Sequence, residues 1–310
     1  MSDEQSQTSF VKKARVFYDN NYKPLLIIPF LLLVLAIAQL GYQYATTGDV
    51  MNKGISLKGG VILTVNEAND AGIIEERLRT AFPDSDISIK SLGEEGIEEG
   101  IEVSIDINPQ NTAEFSSFLS LMQELFPTVE NIEENIQVIT PQFGATFFGA
   151  LMRTLVIAFI FMSIVVFVYF RTPVPCLAVI LAVVSDMIIT LAAVNLLGIK
   201  ISSGGIAAFL MLIGYSVDTD ILLTTNVLKH KGGSVPDRVI KAAKTGIMMT
   251  VTAMIAASVA IIASFYFTLP DEITQIMIIV AIGLFVDNIN TWIQNVGILR
   301  IYMERKNEIR

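Results

Sequence analysis

Four carboxylates stand where carboxylates are least expected. Asp186, Asp218, Asp220 and Asp287 lie inside long apolar runs of the 310-residue chain. Asp186, Asp218 and Asp287 each fall near the middle of such a run, and Asp220 just beyond it. A charge at the centre of a bilayer costs about 2.5–3.5 kcal/mol on insertion scales, and acids kept there by default face a bundle interior and mark ion or proton paths. No Lys or Arg lies at matching depth; Lys244, at the start of the fifth run, comes nearest. Acids from three runs that cluster cannot all stay ionised, since burial and mutual repulsion both oppose it. That is the condition for reversible protonation. The alternative for Asp186 and Asp287 is a structural role, paired across the bundle.

Helix geometry limits the partners. Asp218 and Asp220 are about 200° apart around a helix, so they cannot share a face. Gly214 lies one turn before Asp218 on its face and would let another helix approach closely. Asp287, Asn290, Thr291 and Gln294 follow the spacing i, i+3, i+4, i+7, a polar stripe on an apolar helix. Such a stripe either lines a hydrated relay or makes interhelical hydrogen bonds, each contributing about 0.6–2 kcal/mol.

Other chemistries find little support. Cys176 and His230 are the only residues of their kinds. The sequence offers no disulfide and no Cys/His metal set, so no metal and no cofactor is expected. Serine chemistry would need a histidine in the membrane. No G-x-x-x-x-G-K-[ST] loop occurs, which disfavours ATP as a direct energy source. A two-aspartate intramembrane protease would need a Gly-x-Gly-Asp type motif, but Tyr215, Ser216 and Val217 precede Asp218. A net charge of −9 argues against nucleic acid.

The elements that must position these acids follow from composition. Hydrophobic residues make up 53% and charged ones 16%, with a mean hydropathy of +0.60; soluble domains carry about a quarter charged residues. Six runs are long enough to cross a bilayer as helices: 24–44, 151–170, 175–197, 206–228, 247–267 and 273–293. The first follows a polar leader and lacks a small-x-small cleavage site, so it is expected to stay as an anchor. The positive-inside rule sets the orientation. Fourteen basic residues lie on one side: Lys12, Lys13, Arg15, Lys23, Arg171, Lys229, Lys231, Arg238, Lys241, Lys244, Arg300, Arg305, Lys306 and Arg310. The short loops of the other side offer only Lys200 and Arg153. Both termini are therefore expected in the cytoplasm and residues 49–145 outside.

That outer segment reads strand, helix, strand, strand, helix, strand. The pattern predicts strands at 61–65, 87–89, 101–107 and 136–139, with helices at 70–82 and 111–126 that Pro83 and Pro127 stop. Asn111 with Glu114 resembles a capping box. The order is that of a ferredoxin-like split βαβ unit, a fold that does not assign a function. The cluster Glu94, Glu95, Glu98 and Glu99 around Gly93, Gly96 and Gly100 is either a cation site or, preferably, a solvated acidic hairpin. The segment carries 18 acidic and 5 basic residues, net −13, against +4 for the rest. The chain's acidity is thus a property of its outer part. The expected division is a cytoplasmic tail (1–23), a first transmembrane helix (24–44), an extracytoplasmic ferredoxin-like domain (49–145), a five-helix transmembrane bundle (151–298) and a second cytoplasmic tail (299–310).

A tail, one span, a large outer domain and five more spans resemble half of an RND-type transporter. Four stretches carry a closer likeness: 54–65 (GISLKGGVILTV), 185–190 (SDMIIT), 214–223 (GYSVDTDILL) and 283–302 (GLFVDNINTWIQNVGILRIY). With them the chain resembles the SecD/SecF protein-export family of the RND superfamily, in its archaeal form and on the SecF side. The resemblance implies an auxiliary, non-enzymatic subunit of the Sec machinery. Its partners would be SecD, a SecYEG-type translocon, unfolded secretory polypeptide and membrane lipid. It implies coupling to the proton gradient through Asp218, with Asp186 and Asp287 in support, and makes Gly54, Gly59, Gly60 and Gly214 motif glycines. Bacterial relatives carry Asn-Asp-Thr where Asp218, Thr219 and Asp220 stand here, so the choice between Asp218 and Asp220 stays open. Gly59 and Gly60 also suit a tight bend before a strand, which would seat the outer domain. An independent RND-type transporter of ions or small molecules, assembled as a homo-oligomer, would use the midplane acids equally well.

Overall fold

The computed structural model describes residues 18, 20–67, 69–94, 97–129, 131–230, 232, 234–267 and 271–308. The expectation for the acidic Gly–Glu stretch falls on residues 93–99, whose side chains lie outside the described set. Lys12, Lys13, Arg15, Lys231 and Arg310 also lie outside it.

Helix α1 (Ile27–Thr47) leads through a short helix α2 (Ile55–Lys58) into a strand-containing unit. This unit runs β1 (Gly60–Val65), α3 (Ala71–Ala81), β2 (Ile87–Glu94), β3 (Ile97–Ile105), α4 (Thr112–Leu125), a 3-10 turn (Ile132–Asn135) and β4 (Ile136–Ile139). Long helices follow: α5 (Pro141–Phe170), α6 (Pro173–Leu196), α7 (Ser203–Lys229), α8 (Val235–Phe267) and α9 (Asp271–Ile289). A π-helical segment (Asn290–Asn295) continues α9 directly into α10 (Val296–Glu308).

Six stretches of the described residues are long and apolar enough to cross a membrane: Asn20–Thr47, Pro141–Phe170, Pro173–Leu196, Ser203–Lys229, Val235–Ser264 and Glu272–Lys306. They coincide with the six apolar runs, and the chain is a multi-pass helical membrane protein. Their ends obey local rules. Gly48, in the left-handed region, closes α1 by donating its N–H to Tyr44 O at 2.9 Å. Pro141 opens α5 behind Thr140, whose hydroxyl accepts from Phe143 N–H. Pro173 likewise opens α6, though there the Thr172 side chain makes no capping hydrogen bond.

The spans are not equivalent. About half of the apolar window is buried in the third, fourth and sixth spans (56%, 50% and 50%), against 11%, 6% and 17% in the first, second and fifth. Spans three, four and six therefore form the packed centre, and the other three present most of their surface outward.

The sheet is antiparallel with strand order β2-β3-β1-β4. Its buried face pairs Val61 with Ile105, Leu63 with Val103 and Val65 with Ile101. Ile74 and Leu78 from α3, and Phe118 and Met122 from α4, cover that face at the helical spacing the sequence shows. Strands β2 and β3 extend further into the Gly–Glu stretch than the alternation predicted, because the hairpin continues pairing past a register shift at Leu92/Gly93. Helix α4 starts where expected, but the Asn111 side chain makes no capping hydrogen bond. The chain enters that helix from a turn in which Asn111 N–H meets Asn108 O at 2.9 Å.

The sheet unit is tied to the bundle at one rim. Gly59 and Gly60 adopt φ of 96° and 148°, values a side chain rarely tolerates. A Cβ on Gly59 would stand 2.7 Å from the Pro141 backbone, where the second span begins. Ile201, in the α6–α7 connection, donates its N–H to Asn52 O at 2.6 Å and accepts from Gly54 N–H at 2.8 Å. Asn195 donates to Val50 O at 2.8 Å. Lys200 pairs with Asp86, at the start of the β2 edge.

Candidate functional site

The fourth span is buried along one stripe: Phe209, Leu212, Ser216, Thr219, Asp220, Leu223 and Val227. This period matches one helix face. It aims Ser216 and Asp220 at the third and sixth spans and turns Asp218 away. Ser185 and Asp186 lie on the inward face of the third span, and Asp287, Asn290, Thr291, Gln294 and Asn295 on that of the sixth.

The result is a three-carboxyl cluster. Asp186, Asp220 and Asp287 have no exposed surface. Ser216 Oγ donates to Asp186 Oδ2 at 2.6 Å, and Asn290 Nδ2 to Asp186 Oδ1 at 2.7 Å. Asn295 Nδ2 donates to Asp220 Oδ1 at 2.7 Å. Thr291 Oγ1 lies between two acids, 3.0 Å from Asp220 Oδ1 and 3.1 Å from Asp287 Oδ1. Its single proton serves one of them at a time. Gln294 Nε2 donates to Ser185 Oγ at 3.3 Å. Thr219, on the same inward face, donates its hydroxyl to Tyr215 O at 3.0 Å.

Every donor in this network is neutral. Among the described residues the side chains that donate to the three carboxyls are Ser216, Asn290, Thr291 and Asn295. Asp220 Oδ2 and Asp287 Oδ2 have no donor at all. Full ionisation of the cluster would leave buried charges without counter-ions, the costliest arrangement a protein interior can hold. Chemically, such a cluster can hold protons, or another small cation, in place of the missing counter-ions.

The structure brings together Asp186, Asp287 and the polar stripe as the sequence suggested, with one difference in membership. Asp218, which the sequence placed first, does not join the cluster; Asp220 does. Asp218 opens instead into a groove of about 460 Å³ between the fourth and fifth spans, lined by Tyr215, Met248, Met249, Thr252 and Ala253 among others. Gly214 lies on the same exposed face. Among the described residues, a Cβ there would meet nothing within 4 Å. Lys244, near the start of the fifth span, is exposed. Among the motif glycines, Gly54, Gly59 and Gly60 all sit at the rim that seats the sheet unit.

Four residues of the network, Ser185, Ser216, Thr219 and Asn295, are not among the candidates the sequence offers. Ser216, Thr219 and Asp220 are spaced i, i+3, i+4, a stripe visible to the same test that found the sixth span's. Ser185 stands beside Asp186. Asn295 carried no signal, because it reaches the cluster through the π-helical segment, where residues five apart stack.

The family described as protein export membrane protein SecD/SecF, C-terminal, matches residues 119–305. The protein-export membrane protein SecF of Pyrococcus furiosus is 33% identical over 298 residues, covering 95% of this chain and 96% of that one. SecF of Methanocaldococcus jannaschii is 36% identical over 294 residues, covering 91% and 96%. The crystal structure of SecDF, a translocon-associated membrane protein from Thermus thermophilus, superposes with a TM-score of 0.65 at 16% identity. That match covers 92% of this chain but 38% of the longer SecDF chain, so it bears on the fold alone.

Proposed function

The chain belongs to the SecD/SecF protein-export membrane protein family, and from that premise we propose that it is a non-enzymatic auxiliary subunit of the Sec machinery. It acts with SecD, beside a SecYEG-type translocon, to promote passage of unfolded polypeptide across the cell membrane. The proton gradient drives it through the mid-membrane carboxyls. The observation that carries the coupling is the buried cluster of Asp186, Asp220 and Asp287, drawn from three spans and held by neutral donors only. Proton arrival changes which contacts Thr291, Asn290 and Asn295 make. That changes the packing of spans three, four and six. The α6–α7 connection then passes the change to the sheet unit through Ile201, Asn195 and the Lys200–Asp86 pair. A gradient works on such a device only because the protonation states favour different packings.

In this reading the sheet unit is a ferredoxin-like domain on the extracytoplasmic side, and both termini are cytoplasmic. Asp218 serves the assembly rather than the internal cluster. An ionisable group on the outward face of a span is costly in lipid, and a transmembrane helix of SecD seated in the Asp218 groove removes that cost.

The test uses the chain co-expressed with SecD. Asp220→Asn is expected to lower export of a secreted reporter at least tenfold with the protein still in the membrane. Asp218→Asn is expected to weaken co-purification of SecD more than it weakens the cluster. Export unchanged by Asp186→Asn, Asp220→Asn and Asp287→Asn alike would sink the coupling role.

A further inference from the structure

The sixth span changes register beside the carboxyl cluster. Val296 N–H is bonded to Thr291 O, five residues back, and to Ile293 O, three back. A regular α-helix would send it to Trp292 O, four back. The Trp292 carbonyl is instead taken by a residue from the other end of the chain: Tyr18 Oη donates to it at 2.8 Å. The ring of Tyr18 is also held by Arg300, whose guanidinium lies 5.8 Å from its centroid and 4.3 Å from that of Tyr22.

The register decides which acids are served. Asn290 donates to Asp186 and Asn295 to Asp220. In an α-helix residues five apart are turned about 140° from one another. Both amides could not then face the cluster. The π segment stacks them on one side. The Trp292 indole fixes the same segment from without. It packs against Gly246 of the fifth span, where even one added carbon would clash with the ring.

We infer that residues 290–296 are a two-register element and that Tyr18 is a positioning residue, its hydroxyl holding the π register in which Asn295 reaches Asp220. Releasing Trp292 O lets Val296 N–H close an α turn onto it. Asn295 then swings off Asp220, and Thr291 is left as that acid's one hydroxyl donor. The start of the first span thereby controls how the buried acids are satisfied. This rests on the coupling reading only for its consequence in export; the register can be read without it.

The experiment uses the full chain with SecD in reconstituted membranes, observed by infrared spectroscopy of carboxyl groups and by amide hydrogen exchange. Asp220→Asn removes, and so assigns, the Asp220 band. Tyr18→Phe keeps the ring over Arg300 and removes only the hydroxyl. It should shift the Asp220 band in the same direction as Asn295→Leu does, speed exchange across residues 292–297 about 5-fold, and slow export about 5-fold, as expected from losing one buried hydrogen bond. An unshifted Asp220 band in Tyr18→Phe overturns the inference, whether or not the protein loses stability, since a merely structural tyrosine would leave that band alone. An unshifted band in Asn295→Leu overturns it as well. If the band shifts in both variants while Asp220→Asn exports normally, the register element stands and the coupling reading falls.

Discussion

The fourth-span acids make the sharpest residue-scale contrast. Asp218 and Asp220 differ by two positions and by about 200° around the helix, and that rotation separates a buried hydrogen-bonded carboxyl from one lining an open groove. An apolar membrane helix does not advertise by composition which face is packed, because lipid and helix interiors are equally apolar. The stripe Ser216, Thr219, Asp220 does advertise it, since neutral polar residues seek interhelical partners. Asp186 shows what those partners contribute: Ser216 and Asn290 each satisfy one of its oxygens. Replacing Asn290 by Leu strips the donor from Oδ1 and is expected to destabilise the bundle by about 1–3 kcal/mol. Thermal unfolding in detergent measures this. The double variant Asp186→Leu/Asn290→Leu should recover part of the loss, since removing both partners of a buried pair costs less than removing one.

At the scale of elements, spans and sheet were largely legible, and the register of the last helix was not. Length and hydropathy are enough to mark six membrane helices. Alternation at Ile101, Val103 and Ile105 marks a strand, and it does so because one face of that strand is buried. Strand ends were less legible, because the β2–β3 hairpin keeps pairing through glycines and glutamates that carry no alternation. The π segment leaves no periodic signature, as it is imposed by contacts from Tyr18 and Gly246 far away in the chain. The Gly59–Gly60 bend was recognisable as two adjacent glycines. Its function as the seat of the sheet unit depends on Pro141, 82 residues from Gly59. Gly59→Ala adds a Cβ against the Pro141 backbone at a φ that disfavours it. A loss of about 1–3 kcal/mol is expected, seen as earlier proteolysis of the sheet unit at the rim, with the spans still inserted.

In the molecule as a whole, the polar centre lies on the three most buried spans, the third, fourth and sixth. About half of the apolar window of these three spans is buried, against 6–17% in the other three. Residues 49–145 hold 18 of the 30 acidic residues, and in the proposed orientation the positive-inside rule puts that segment outside. Cys176 is buried and Ser88 is exposed on β2. A cysteine at position 88 is therefore expected to react with an impermeant thiol reagent from outside intact cells, against a silent native background. Labelling confined to inverted vesicles would reverse the topology.

The central claim is that a buried carboxyl cluster lets this chain draw on a proton gradient for protein export. It is tested most directly by measuring export into membrane vesicles that hold the chain with SecD, with and without an imposed pH gradient, for the native chain and for Asp220→Asn. The account predicts that the gradient stimulates export with the native chain and that this stimulation disappears with Asp220→Asn, while gradient-independent export persists. Equal stimulation in both, at equal amounts of inserted protein, would contradict it.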